Sequence, residues 1–425
     1  MGGHSGRPFC KPSKVGRLLN FEYIYHIKRM STLLPLDVSD WALGALGAWN
    51  FGVGLFSIRS ALGYREYARR AARARASGAP SRTPSVTLFV PCCGEEAGLE
   101  ENLEALLSQD YPGFSVRFVV EEASDGAAPA IERSLSRHPG RGDRVLAGPA
   151  AGRSQKVHNL LAALENHPPA EILVFADSDG RPERDWLKLL VAPLERAEVG
   201  VASSYRFYLP EPATFTTLLR SAWNAAALTV LGDHNHNFAW GGAMAIRTDV
   251  FERIGVAEAW RGALSDDYAM THAVRRAGMK VEFVASCLVG SRGNVGLREL
   301  LSWCARQLAI TRVYWPALFR LTAATHLVYG AFLALALAQG AFDLLAIVLL
   351  PGLIGGGLRA MGIAELSPQW RETISRHFWA YVVLVPFAGV LTILGVLRAL
   401  WSRRIEWRGK LYEMRSPTET VILDE

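Results

Sequence analysis

Two stretches of this chain are apolar over nearly the length of a membrane span, and they bracket a centre of ordinary globular composition. The first runs from Trp41 to Leu62, interrupted mainly by Asn50, and the second from about Thr325 to Leu400. About 20 apolar residues suffice to cross a bilayer. Half of the 425 residues are hydrophobic, and the mean hydropathy of +0.13 is high for a chain that lives wholly in water. These numbers predict one α/β domain anchored at both ends. The chain divides into a weakly patterned extension (1–40), a signal anchor (41–62) and a basic linker (63–84). A catalytic-size domain (85–298), interfacial helices (299–322), a C-terminal membrane region of two to three segments (323–400) and a basic tail (401–425) follow.

Arg65, Arg69, Arg70, Arg73 and Arg75 come directly after the first apolar stretch. By the positive-inside rule they place the central domain on the cytoplasmic face. Beside such a span the run reads as a membrane flank and not as a nucleic-acid-binding helix, and the net charge of +6 points to lipid headgroups. Arg398, Arg403, Arg404, Arg408 and Lys410 put the tail on the same face. Three full crossings after the domain would put it on the other, so either one segment does not cross or the segments do not number three. Pro351 with Gly352, Gly355, Gly356 and Gly357 marks the middle segment as bent or re-entrant. Met30 is expected to be a better start than Met1, and Met1-Gly2 is no myristoylation signal because Gly6 stands where Ser or Thr is needed. Five cysteines without Cys-x-x-Cys spacing indicate a reducing compartment.

In the centre, apolar runs alternate with helical patterns. Strands are expected at Val86–Val90, Phe114–Val120, Arg144–Ala147 and from Ile172. Helices are expected from Glu101 to Asp110 and over 130–137, 155–165 and 186–194. That rhythm predicts a doubly wound, mostly parallel sheet. Val199–Tyr208 reads as extended, and Thr217–Leu231 as a helix lying on the membrane surface.

Four polar groups stand at loop positions of this pattern. Ile172-Leu-Val-Phe-Ala is a buried strand that ends in Asp177-Ser-Asp179-Gly180, so two carboxylates meet at a strand's carboxyl end, where ligands bind in open α/β sheets. Residues i and i+2 there can face a hard divalent cation that bridges a diphosphate, although Asp-x-Asp also starts turns. Glu121 to Asp125 ends a second strand and can hold a base or ribose, or simply be solvated. Lys156 follows a glycine loop at a helix start, which suits a diphosphate. Asp266-Asp267 opens the helix through Arg276, either as helix-capping acids or with one of them as general base for a hydroxyl. Asp233-His234-Asn235-His236-Asn237 reads as a polar loop lining an acceptor pocket with Trp240; His-x-His lacks further zinc ligands at sensible spacing. Trp303, Tyr314 and Trp315 read as an interfacial aromatic belt.

Together the four groups resemble the GT-A glycosyltransferases of family two, and most closely the ceramide glucosyltransferase family. The resemblance covers most of Val86–Trp315 and returns at Ile405-Glu-Trp-Arg-Gly-Lys-Leu-Tyr412. It implies a Rossmann-like GT-A domain that moves a hexose, with glucose favoured, from a UDP-sugar to the hydroxyl of a membrane lipid such as ceramide, with inversion. Asp125 matches the first family aspartate, with Glu122 sharing nucleotide binding. Lys156 and Asn159 match a Lys-x-x-Asn segment. Asp177 matches the second aspartate, and Asp179 completes a motif for Mg²⁺ or Mn²⁺. Asp266 sits with the nucleotide-sugar, and Asp267 matches the base. The family's (Gln/Arg)-x-x-Arg-Trp is altered here: Arg306 and Gln307 fit one register with Ala309-Ile310 in place of Arg-Trp, while a second register keeps Trp303. Arg312 is expected to supply the lost cation in either. A processive polysaccharide synthase would share the carboxylates but needs more spans, and a degenerate membrane scaffold would explain the altered Arg-Trp.

Overall fold

A computed structural model describes residues 37–77, 82–96 and 98–423; the expectation about Met30 falls outside them. Helix α1 (Val38–Ser77) leads into β1 (Val86–Pro91), α2 (Leu99–Leu107), β2 (Phe114–Val120), α3 (Ala128–Arg137), β3 (Gly142–Leu146), α4 (Gln155–Leu164) and β4 (Ile172–Ala176). The chain continues through α5 (Trp186–Val191), β5 (Val199–Ser203), β6 (Arg206–Tyr208), α6 (Phe215–Leu228), β7 (Ala243–Arg247), α7 (Thr248–Arg253), α8 (Val256–Trp260), α9 (Asp266–Arg276), β8 (Lys280–Phe283) and β9 (Val289–Ser291). Helices α10 (Leu297–Tyr314), α11 (Pro316–Gln339), α12 (Phe342–Leu366), α13 (Pro368–Arg376), α14 (Phe378–Val383) and α15 (Val385–Trp401) precede a closing sheet of β10 (Arg404–Trp407), β11 (Lys410–Ser416) and β12 (Glu419–Leu423).

The expected α/β domain is present. Its seven-stranded sheet has the order β3-β2-β1-β4-β7-β5-β8. β7 alone runs antiparallel, paired to β4 and β5, and the other neighbours are parallel. β1 and β4 are buried on both faces, which is why they read as unbroken apolar runs instead of alternating ones. Separate apolar layers lie on the two sides of the sheet, one around Leu88, Val174 and Trp186, the other around Phe89, Phe175 and Trp260. Each fully buried large apolar side chain of this kind contributes about 1.5–3 kcal/mol.

Three helices, Val38–Arg75, Pro316–Gln339 and Phe342–Leu366, are long and apolar enough to cross a membrane. At the end far from the sheet, Leu43, Phe332, Ala336 and Val348 form one cluster; at the near end, Arg65 and Arg69 pair with Glu365 at 2.9 Å. So α1 and α12 run in the same direction and α11 returns against them. The expectation of a re-entrant middle segment is corrected: α12 is one helix through Pro351, whose ring is accepted among glycines that let α1 approach closely. The segment that turns back is the last. On its entry side Thr373 donates to Glu211 (2.9 Å) and Tyr381 meets Ser221 of α6 (2.8 Å). Its turn reaches mid-α11, where Tyr329 donates to the Pro386 carbonyl. Its exit returns to α10, where Arg312 donates to the Leu400 carbonyl (3.1 Å). Both ends of α14–α15 therefore lie beside the sheet domain, and the parity conflict disappears.

Two further expectations are corrected. Helix α6 does not lie free on a surface: Leu218, Leu219, Ala222 and Ala225 are buried, and Trp223 donates to Thr392 of α15 (2.9 Å), so it is clamped between sheet domain and membrane helices. Tyr314 is buried and is no belt residue; its hydroxyl accepts the backbone N–H of Leu264 at 2.8 Å and of Ser265 at 3.3 Å. Cys92, Cys287 and Cys304 are buried free thiols and Cys93 an exposed one.

Candidate active site

The carboxyl ends of β1, β2 and β4 deliver the loops that the sequence singled out, and two helix starts complete them. Ser154 caps α4 by accepting from Val157 N–H (3.2 Å) and donates its own hydroxyl to the Leu264 carbonyl (2.7 Å), one residue before Ser265 caps α9. The starts of α4 and α9 are thus tied together. That brings Lys156 to 2.8 Å from Asp177 and 3.1 Å from Asp266. Gly241 and Gly242 pass against the same cluster: a Cβ on Gly241 would lie 2.7 Å from Lys156 Nζ, and one on Gly242 2.6 Å from Asp177 Oδ2 and inside the Trp240 ring.

Asp267 is held by its neighbours. Oδ2 accepts from Gly241 N–H (3.2 Å), and Oδ1 accepts from Tyr268 N–H (2.7 Å) and the Ser265 hydroxyl. It keeps partial access to the cleft, whereas Asp266 is 3% exposed. Burial opposes ionisation of Asp177, yet Lys156 and Arg206 outweigh it and hold the carboxyl down at about 2. For Asp266 burial, with Asp267 and Asp177 close by, prevails over Lys156 and pushes the pKa up to about 6. Burial also works against the charge of Lys156, and the three aspartates reverse it, raising its pKa.

The residue that sequence reasoning missed is Arg206. Its guanidinium bridges the Asp-x-Asp pair, 2.6 Å from Asp177 Oδ2 and 2.7 Å from Asp179 Oδ2, while lying 5.1 Å from the Trp240 ring centre. An arginine inside a short, otherwise aromatic extended segment, Tyr205-Arg-Phe-Tyr, was the available signal. Arg408 was also missed as a site residue. The β10–β11 hairpin turns through Arg408 and Gly409, both at positive φ, and carries the Arg408 side chain to Glu96 and within 3.9 Å of Asp179. Lys410 pairs with Glu121 (2.8 Å), and Tyr412 accepts from Gln155 N–H (3.2 Å), so the tail sits on the site.

The remaining expected residues divide. Asp125 accepts from Gly94 and Ala127 N–H groups (2.9 and 2.8 Å), joining the loop after β1 to the start of α3, while Glu122 is exposed. Asn159 accepts from Gln155 and braces α4. Arg306 stands 5.7 Å from the Trp407 ring, and burial, reinforced by Arg408 and Arg206, lowers its pKa. Trp303, three residues earlier on the same helix face, packs on Tyr208 at 5.3 Å and Trp223 at 4.9 Å. Gln307 lies one turn before Thr311, which meets Tyr268. Arg312 is a correction: it caps the end of α15 through the Ala399 and Leu400 carbonyls instead of facing the carboxylates. His234 and His236 are corrected too. They sit on an exposed loop whose Asp233 pairs with Arg70 of α1, and only Trp240 of that trio reaches the cluster.

Among the described residues no three His, Cys, Asp or Glu side chains form a metal cage. A divalent ion fits in the other manner, on two carboxylates plus substrate phosphate. Asp177 and Asp179 already converge on one cation, the Arg206 guanidinium. Asp179 Oδ1, buried and without a hydrogen-bond donor, lies 2.6 Å from it.

The profile of glycosyl transferase family 21 matches residues 55–420. The chain belongs to glycosyl transferase family 21. The expected resemblance to membrane-bound GT-A glycosyltransferases, closest to the ceramide glucosyltransferase family, is borne out. Ceramide glucosyltransferase 1 of Caenorhabditis elegans is 27% identical over 81 residues, which are 19% of this chain and 17% of that protein. Among solved structures, the mannosyltransferase PcManGT of Pyrobaculum calidifontis, in complex with GDP-Man and Mn²⁺, is 19% identical with a TM-score of 0.48. That likeness covers 81% of this chain and 99% of the other. GalNAc-T7, with UDP, GalNAc and Mn²⁺, is 9% identical with a TM-score of 0.38 over 56% of this chain and 50% of its own. The family 21 match begins within α1, runs through the sheet domain and α10–α15, and ends at the start of β12.

Proposed function

We propose that this glycosyltransferase transfers a hexose, with glucose the favoured sugar, from a UDP-sugar to the hydroxyl of a membrane lipid, inverting the anomeric carbon. The observation that carries the reading is one continuous chain of side-chain contacts that links the carboxylate cluster to the membrane helices. It starts at the Lys156–Asp177–Asp266–Asp267 cluster, passes Arg206 and the rings of Tyr208, Trp303 and Trp223, and ends at Thr392 on a helix packed with the membrane-length ones. A sugar diphosphate at one end and a lipid hydroxyl entering from the other would meet at Asp267.

Asp267 takes the proton as the lipid oxygen attacks the anomeric carbon from the side opposite the diphosphate. The bond from that carbon to the β-phosphate oxygen breaks, and UDP leaves with the electron pair. Asp177 and Asp179 would hold Mg²⁺ or Mn²⁺, which supplies charge neutralisation for the departing diphosphate. Arg206 and Arg408 add to the burial that disfavours the charge on Arg306, so an anion beside these three arginines is favoured. For Asp177 and Asp179 to hold the metal ion, Arg206 would have to leave its bridge between the two aspartates. Asp125 and Glu122 stand at the nucleotide end. The arginines that follow the apolar part of α1, beside the sheet domain, support a cytoplasmic catalytic face.

The test is glycolipid formation by the purified protein in detergent, with labelled UDP-glucose against ceramide, sterol, diacylglycerol and polyprenyl phosphate. One labelled lipid class, lost with EDTA, is expected. A water-soluble polymer would point to a processive synthase, and UDP binding without turnover on any acceptor to a scaffold.

A further inference from the structure

Away from the cluster just described, Arg312, Arg320, Arg403 and Arg415 line one cavity of about 420 Å³ together with Phe319 and Leu400. It lies where α11 leaves α10 and where α15 gives way to β10. Its lining holds four guanidinium groups and no carboxylate. Gathering like charges around a concavity costs free energy, and protein partners offset only part of it. Arg312 is spent on the end of α15, Arg403 donates to the Arg415 carbonyl (3.1 Å), and Arg415 pairs with Glu419 outside the cavity (3.1 Å). Arg320 has neither hydrogen bond nor ion pair among the described residues.

The setting says which anion belongs there. Arg320 is near the start of a membrane-length helix, and the cavity's opposite wall is the last turn of the re-entrant one. Leu321 next to it is 63% exposed and Trp401 beside Leu400 is 90% exposed. Apolar and aromatic side chains left bare at the ends of such helices mark the level where acyl chains meet headgroups. Arginine forks bind phosphate oxygens in pairs, and basic pockets at this depth suit anionic headgroups.

We propose that this cavity binds the phosphate headgroup of an anionic phospholipid, with the acyl chains lying along Leu321, Leu400 and Trp401. The site is separate from that of the sugar donor, although both border α10. Arg306 faces the Trp407 side, while Arg312 and Val313 face the cavity. Tyr314, next in the chain, holds the backbone that precedes Asp266. The proposal does not depend on the identity of the donor or acceptor.

Thermal unfolding of the full-length protein in detergent tests it, with dioctanoyl phosphatidylglycerol, dioctanoyl phosphatidylcholine and inorganic phosphate as separate additions. Phosphatidylglycerol at saturation is expected to raise the midpoint by about 3 °C, the other two not. The rise should vanish in the double variant Arg320→Gln/Arg403→Gln and persist in Arg404→Gln, which pairs with Glu413 outside the cavity. An equal rise with inorganic phosphate would reduce the cavity to a simple anion site and overturn the lipid reading. No rise in the wild type, or a full rise in the double variant, would overturn the site. If the double variant fails to fold, Arg320→Gln alone, an exposed change, carries the same comparison.

Discussion

Asp266 and Asp267 are adjacent in sequence, yet their surroundings assign them different work. Asp267, the proposed proton acceptor, is reached by backbone N–H groups and retains access to the cleft. In Asp267→Asn the amide cannot take that proton; UDP-sugar affinity should persist in equilibrium binding while turnover falls by about 10²–10⁴-fold. Asp266 is enclosed and protonates near pH 6, well above the ~3.9 of an unfolded aspartate. The folded state therefore binds this proton more tightly than the unfolded state does. Its contribution is full at low pH and declines as pH rises from about 4 through 6. Asp266→Asn should lack that decline, which unfolding midpoints of the two proteins across pH 4–7 would reveal; parallel curves would count against it. Asp177 has the opposite sign: its depressed pKa stabilises above the unfolded value, and that contribution is lost as pH falls from about 4 toward 2.

At the scale of elements, the site depends on close approach. The loop before β7 runs against Lys156, Asp177 and Asp266 because Gly241 and Gly242 have no side chains to hold it off. Gly242→Ala would place a methyl in contact with Asp177 and the Trp240 ring. Overpacking of this kind costs about 1–3 kcal/mol. Sugar-nucleotide affinity should drop at least about 10-fold, measurable by titration calorimetry, with the far-UV circular dichroism unchanged. The tied starts of α4 and α9 act similarly. One hydroxyl, that of Ser154, serves both as cap of its own helix and as link to the segment before Asp266 and Asp267.

For the whole molecule, the path of the last apolar segment decides on which side the tail lies. Because α14–α15 enters and leaves beside the sheet domain, single cysteines at positions 376 and 404, in a background without other thiols, should react with an impermeant maleimide from the catalytic side of sealed vesicles. A cysteine at 340, in the turn between α11 and α12, should react only from the other side. Labelling of 376 and 404 from opposite sides would mean a full crossing. The tail's place on the site, through Arg408, Lys410 and Tyr412, requires the first result.

Local patterns carried much of this protein. Apolar run length marked the membrane helices, the alternation of strands and helices marked the parallel sheet, and strand-end carboxylates with Lys156 marked a cluster that the fold brings together. Each is a short-range signal, written within some ten or twenty consecutive residues. The decisive additions were long-range. Arg206 reaches Asp177 and Asp179 across nearly thirty residues of chain, and Arg408 reaches Asp179 from the far end of the sequence. An arginine's partner is whatever the fold brings opposite it, and nothing local records that choice. Arg312 and Tyr314 were misread for the same reason: charge and aromaticity name what a side chain can bond to, but only packing determines what it meets. The turn of α14–α15 belongs here as well, because its apolar composition suits both crossing and returning, and it is the contacts at its two ends that hold it on one side.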